Sequence, residues 1–320
     1  MAPLAAVFPG QGSQAVGMGR DLAERWPEAG EVFAAVDRAL GRPLSRLCWE
    51  GPEEELRLTE NTQPALLAHS IAAWRVLAAR GVRVAAVAGH SLGEYSAAVA
   101  AGAMGLDDAV RTVEQRGRLM QRAVPVGEGA MAAVLGLEDD AVVSACAEAG
   151  ASGRGVVVAA NFNAPDQVVI AGATAAVEAA CELCRGLGAR RAVRLPVSAP
   201  FHSPLMAPAR EGLSPVLDAL ALEPLDVPLF RNVDAAPVEA PDALRDGLTR
   251  QVDSPVLWTA TVRRMVESGI DTFVEVGTGT VLRGLGRRIH RDAAWCSAGT
   301  VETVEEALEL LAGSDPGGDA

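Results

Sequence analysis

Short apolar runs alternate along this chain with longer stretches in which apolar positions recur every three or four residues. That pattern describes strands buried on both faces and joined by amphipathic helices. Residues 84–88 (Val-Ala-Ala-Val-Ala) predict such a strand and the Ala-rich residues 94–101 a helix, so Gly89-His90-Ser91-Leu92-Gly93 must be a tight strand-to-helix turn. Residues 4–8 predict another strand, followed by the glycine-bearing loop Pro9-Gly10-Gln11-Gly12-Ser13-Gln14. Helical periodicity covers 19–39 with a break at Pro27, then 63–79, then 106–122. In the last of these Leu106, Val110, Val113, Gly117 and Met120 form one stripe, while Arg111, Gln115, Arg118 and Arg122 fall opposite. Arg116 lies on the edge of the apolar stripe and needs an anionic partner. Position alone favours a structural ion pair over a substrate.

The pattern changes between residues 127 and 197. Strands at 130–135, 155–160, 167–172 and 191–195 interleave with helices at 139–149 and 175–187. That β-α-β-β-α-β order is the ferredoxin-like unit, here inserted into a larger α/β domain. Strands at 227–233 and 270–276 follow, each succeeded by loop and helix, and Gly277-Thr278-Gly279-Thr280 opens a helix ending near His290. The expected division is therefore 1–126 with 198–312 as the main domain, 127–197 as the subdomain, and a disordered Gly/Asp-rich tail at 313–320.

Composition narrows the chemistry. A hydrophobic share of 49% with 4% aromatics over 320 residues supports a large Ala/Val/Leu core. No apolar run reaches the roughly 18 residues of a membrane span, and the N-terminus enters a strand without a basic region or cleavage site, so no membrane association and a cytoplasmic location are expected. The net charge of −13 argues against nucleic acid. All 28 basic residues are Arg, which excludes a P-loop, a pyridoxal Schiff base and a Lys general base. Cys181 and Cys184 form a C-x-x-C inside a helical stretch with no partner pair, so packing is favoured over redox or zinc and no metal site is expected.

The turn at 89–93 has the form of a nucleophile elbow. It projects the Ser91 hydroxyl from a helix N-terminus, where the Leu92 N–H favours an oxyanion. Four histidines could serve as its base. His69 and His290 sit in helical contexts that read as surface or packing, and His90 should point away from its neighbour. His202 remains, in the Pro-flanked loop where the small unit rejoins the large one.

The stretches FPGQGSQ at the start, TQPAL at 62–66, GHSLGE at 89–94, QRGRLMQ at 115–121, NFNAPDQVVIAG at 161–172, APFHSPLM at 199–206 and EVGTGTVLRGL at 275–285 are similar to those of malonyl-CoA:acyl carrier protein transacylases and polyketide synthase acyltransferase units. The resemblance spans nearly the whole chain in order. It implies an α/β-hydrolase-like main domain with a ferredoxin-like subdomain, and no cofactor beyond a coenzyme A thioester as substrate. It makes Ser91 the nucleophile and His202 its base, in a dyad without an acidic third member. It assigns the oxyanion hole to the backbone N–H groups of Gln11 and Leu92, the malonyl carboxylate to Arg116, and the orientation of the histidine to the Gln251 carbonyl. Malonyl-CoA and a phosphopantetheinylated acyl carrier protein are the implied partners. In this family a Phe before the catalytic His accompanies malonyl rather than methylmalonyl units, and Phe201 and Leu92 both point to malonyl. Thr278 and Thr280 replace residues that many relatives have as Pro and Lys.

Two other readings share Ser91 and His202: a serine acyl hydrolase acting on carrier-bound acyl groups, and a transferase for methylmalonyl or another substituted malonyl unit. Arg116 separates the first, because a general hydrolase gains nothing from binding a free carboxylate. Since both partners are anionic, Arg185, Arg190, Arg191 and Arg194, or Arg283, Arg287 and Arg288, are either docking patches or solvated faces.

Overall fold

The computed structural model describes residues 3–197 and 199–312, which leaves the expected tail and Ser198 outside. Ten strands are described: β1 Leu4–Phe8, β2 Ala86–Gly89, β3 Gly129–Leu135, β4 Val157–Ala164, β5 Gln167–Ala173, β6 Arg191–Arg194, β7 Leu229–Phe230, β8 Pro237–Val238, β9 Thr272–Val276 and β10 Ala294–Ala298. They form a six-stranded sheet in the order β10-β9-β1-β2-β7-β8 and a four-stranded sheet in the order β4-β5-β3-β6. The larger sheet is parallel except for β8, which returns antiparallel to β7. The smaller is antiparallel throughout. This is the expected α/β architecture, α/β-hydrolase-like with a ferredoxin-like unit.

β1 and β2 are apolar and buried at every position because helices cover both faces. Strand periodicity sends Ala6 and Phe8 of β1 into one core with Val87, Val274 and Val276, and Ala5 and Val7 into the other with Ala86, Ala88 and Phe273. In the smaller sheet Ala130, Ala132, Val134, Val168 and Ile170 pack against the helices Asp139–Ala151 and Thr174–Gly186. Its other face carries Met131, Ala160, Val169 and Ala171, with Phe201 packed against them. The smaller sheet is tied to the segment before the helix Trp258–Glu267 by a bridge at Asn161 and Val256, with Phe162 N–H donating to Val256 O (2.9 Å) and Val256 N–H to Ala160 O (2.9 Å).

Three expectations need correction. The strand read over 227–233 is only Leu229–Phe230, because the Asn232 N–H is taken by the Glu94 side chain and cannot extend a ladder. The second long helix begins at Thr59, ahead of the expected residue 63, and holds Pro64 inside it. β10 and the helix Val301–Ala312, which complete the edge of the main sheet, were not foreseen. The five cysteines are free thiols, and Cys146, Cys181 and Cys184 share the core of the smaller unit, where burial raises their pKa values.

Candidate active site

The C-terminal ends of β1 and β2 lead into the Gly10–Gln14 loop and the turn at Ser91. The turn demands glycine for reasons of space: a Cβ on Gly89 would lie 1.9 Å from the Gly93 carbonyl carbon, and one on Gly93 would lie 2.0 Å from Phe8 O. Ser91 itself is left-handed, with φ of 51°, a conformation that a non-glycine residue keeps only when its surroundings enforce it. They do so through its backbone. Its N–H donates to Asn232 Oδ1 (2.7 Å), and its carbonyl accepts from Gln251 Nε2 (2.9 Å). Asn232 in turn donates from Nδ2 to Gly89 O (2.6 Å), clamping the turn from both ends.

The hydroxyl of Ser91 meets two side chains. His202 Nε2 is 2.7 Å from Oγ, and Arg116 Nη2 donates to the same oxygen at 3.1 Å. His202 is buried, has φ of 60°, and places Nδ1 2.9 Å from the Gln251 carbonyl. A carbonyl can only accept, so Nδ1 carries the hydrogen. Burial, reinforced by the Arg116 charge, pushes the imidazole down to about 3, so it is neutral at ordinary pH and Nε2 offers its lone pair to the serine O–H. His90 turns elsewhere, with Nε2 2.8 Å from Asn163 Oδ1 on β4. His69 is buried, with Nε2 2.7 Å from Gly299 O, which settles it as a packing residue.

Arg116 is 1% exposed, yet no carboxylate lies within salt-bridge distance of it among the described residues. The ion pair that position alone favoured is therefore absent. Its guanidinium donates to three neutral oxygens: Gln63 Oε1 (2.9 Å), Gln251 Oε1 (2.8 Å) and Ser91 Oγ. Nε has no partner, and the guanidinium carbon sits 5.6 Å from the Tyr95 ring centroid. Burial lowers its pKa, opposed by Tyr95 and Glu94 nearby, and a guanidinium, the most basic of side chains, stays a cation at neutral pH. An arginine fork facing a serine, with its charge unneutralised by direct contact, has the chemistry to receive an anion.

Gln251 is fully buried and serves two ends of the site, its carbonyl holding His202 and its carboxamide bridging Arg116 and Glu94, whose Oε2 accepts from Nε2 at 2.8 Å. Ser91, His202, Arg116 and Gln251 are thus one hydrogen-bonded group. The N–H groups of Leu92 and Gln11 donate to no other described residue, as an oxyanion hole requires, and Gly10 packs against His90, since a Cβ there would lie 2.6 Å from His90 O. Phe201, half-buried, packs on the smaller sheet beside His202.

Four participants were not singled out from sequence: Glu94, Asn232, Gln63 and Asn163. Three of these lie in the quoted motifs, but Asn232 carries no local signal at all. Thr278 donates to Ser13 O (3.2 Å), and with Thr280, His69 and Ser297 it lines a separate cavity of about 570 Å³ that includes neither Ser91 nor His202. Of the arginine patches, Arg185 donates to Ala192 O (2.9 Å), Arg194 pairs with Glu178 (3.6 Å) and Arg288 donates to Pro165 O (2.7 Å).

Comparison with known proteins places this geometry. A family model described as "Acyl transferase domain" matches residues 6–304. The chain is 48% identical over 311 residues to a malonyl CoA-acyl carrier protein transacylase of Escherichia coli, covering 97% of this chain and 100% of that one. Among solved structures, an acyl carrier protein S-malonyltransferase from Vibrio cholerae superposes with a TM-score of 0.93 at 46% identity, over 96% of this chain and 100% of the other. A malonyl-transacylase solved in complex with a type II PKS acyl-carrier protein gives 0.94 at 44% identity, over 97% of this chain and 100% of that one.

Proposed function

The chain belongs to the malonyl CoA-acyl carrier protein transacylases, and on that premise we propose how its residues carry the reaction. The protein is an acyltransferase that moves a malonyl group from coenzyme A to the phosphopantetheine thiol of an acyl carrier protein, as fatty acid and polyketide assembly require. His202 Nε2 takes the Ser91 proton as Oγ attacks the thioester carbonyl. The oxyanion is received by the Leu92 and Gln11 N–H groups. As the C–S bond breaks, the coenzyme A sulfur leaves with the proton from Nε2. In the second half the carrier thiol gives its proton to His202 and attacks the seryl ester, and Ser91 Oγ leaves with that proton.

Arg116 receives the malonyl carboxylate. Nη2, which donates to Ser91 Oγ, is the nitrogen that faces the reacting group, and acylation of Oγ releases it toward the carboxylate. The observation that carries this reading is the Arg116 donation to Ser91 Oγ at 3.1 Å from a buried cation with no carboxylate of its own. The same carboxylate removes one cause of the low His202 basicity, so a malonyl substrate strengthens the base that attacks it and an acetyl group does not. A hydrolase would share the dyad but has no use for that coupling. Labelled malonyl-CoA should leave its acyl group on Ser91, and carrier protein should then remove it; label that goes only to water would overturn the transfer.

Residues 127–197 are taken as the inserted unit and 1–126 with 198–312 as the catalytic one, supported by the separate core of the smaller sheet. A cytoplasmic location fits coenzyme A chemistry and free thiols. No helix among the described residues is long and apolar enough to cross a membrane.

A further inference from the structure

Arg116 is a buried cation held by neutral oxygens, yet a buried anion stands one side chain away. Glu94 is fully buried on the helix Gly93–Ala100 directly after the nucleophile. Its Oε2 accepts from Gln251 Nε2 (2.8 Å) and from the Asn232 N–H (3.1 Å), while Oε1 has no partner. The Gln251 carboxamide is therefore oriented by charge at both ends, N–H toward Glu94 and carbonyl toward Arg116 at 2.8 Å. The line runs carboxylate, amide dipole, guanidinium.

We propose that Glu94 is the resident counter-anion of Arg116, acting through the Gln251 carboxamide, and that it sets how strongly the fork grips the substrate carboxylate. This rests on the reading of Arg116 given above. Glu94 touches no reacting atom and is a positioning residue. As long as the fork is empty, the relayed anion helps keep a guanidinium charged in a dry site. When a malonyl carboxylate arrives, two anions share one cation and Glu94 becomes the surplus one. The charged and titratable groups facing it are Arg116 from the helix Leu106–Arg122, Arg231 after β7 and Tyr95 on its own helix. Burial pushes its carboxyl up to about 7, so it is poised to accept a proton once the Arg116 charge is claimed by substrate.

The test uses the full chain with Ser91→Ala, which cannot be acylated, and measures malonyl-CoA binding by calorimetry at pH 8 in buffers of differing ionisation enthalpy. Acetyl-CoA carries the same coenzyme and is the blank. Malonyl-CoA should bind with net proton uptake and acetyl-CoA without it; His202 starts from about 3 in the empty site, so even with the Arg116 effect relieved its burial keeps it neutral at pH 8. Adding Glu94→Gln should abolish the uptake and tighten malonyl-CoA roughly tenfold while leaving acetyl-CoA unchanged. A merely structural role would shift both ligands together, and that result overturns the proposal. Should the double variant fail to fold, absence of malonyl-specific proton uptake in Ser91→Ala alone overturns it. Arg116→Ala in the same background separates the two readings. If it binds malonyl-CoA undiminished, the reading of Arg116 falls and this one with it; if it loses the malonyl preference while Glu94→Gln moves both ligands equally, only Glu94 falls.

Discussion

His202 and Arg116 reach the same oxygen from distant parts of the chain, both are almost wholly buried, and burial pushes both toward neutrality. The outcomes are opposite because the starting points differ. An imidazole begins near 6.5 and loses its charge, free to act as a base; a guanidinium begins far above neutrality and keeps it, as the proposed receptor of an anion requires. One dry site therefore yields a proton acceptor and a cation from the same desolvation, and the cation lowers the basicity of the acceptor further. A carboxylate on the fork would relieve that effect and so tie selection of substrate to activation of the nucleophile.

The largest break in this pairing is removal of what joins them. Ser91→Ala should abolish acyl-enzyme formation, checked by mass spectrometry after incubation with malonyl-CoA, with the melting temperature nearly unchanged because the hydroxyl contributes little packing. Next, His202→Ala should slow acylation by roughly 10²- to 10⁴-fold in rapid-quench measurements, and a normal rate would defeat its assignment as base. Arg116→Ala should lose about 1.5–3 kcal/mol of malonyl preference, roughly 10- to 150-fold in the malonyl to acetyl ratio of kcat/KM.

A pH series sharpens the comparison without mutation. Since the folded His202 value lies below the ordinary one, the acylation rate should hold steady well below pH 6.5, where an unperturbed histidine would already be half protonated. The sign for stability is the same: the contribution is present in full above 6.5 and is lost as pH falls toward about 3, visible as a melting-temperature slope that His202→Ala flattens. The smallest expected effect is at Phe201, which packs beside His202. The wild type should prefer malonyl over methylmalonyl by about 10- to 200-fold in kcat/KM, and Phe201→Ser should narrow that ratio. Equal values in the wild type would remove the role given to the ring.

The elbow and the small unit were legible in the sequence because each is local or nearly so, whereas the dyad spans 111 residues and was reached by comparing the four histidines and through the resemblance. Gly89 through Gly93 encodes its own turn, and β3 through β6 follow one another with short links. Gln251 and Arg116 were named as site residues only through the resemblance; position suggested an ion pair for Arg116 that is not found among the described residues, since helical periodicity reports burial but not the partner. Glu94 and Asn232 escaped because their roles exist only in combination, 138 residues apart in one hydrogen bond. β10 escaped for a compositional reason. Ala-Trp-Cys-Ser-Ala has no β-branched residue, and it becomes a strand because β9 offers an edge to pair with.

The joint between β4 and the segment at Val256 bears on anyone building chimeras in this family. Exchanging the four-stranded unit at its sequence borders would keep β3 to β6 together yet separate Ala160 and Phe162 from Val256, with which they trade backbone hydrogen bonds, and Asn163 from His90. A crossover chosen from sequence continuity thus cuts a three-dimensional joint beside the nucleophile. Grafts that carry the segment around Val256 along with the inserted unit should retain transfer where the shorter exchange loses it.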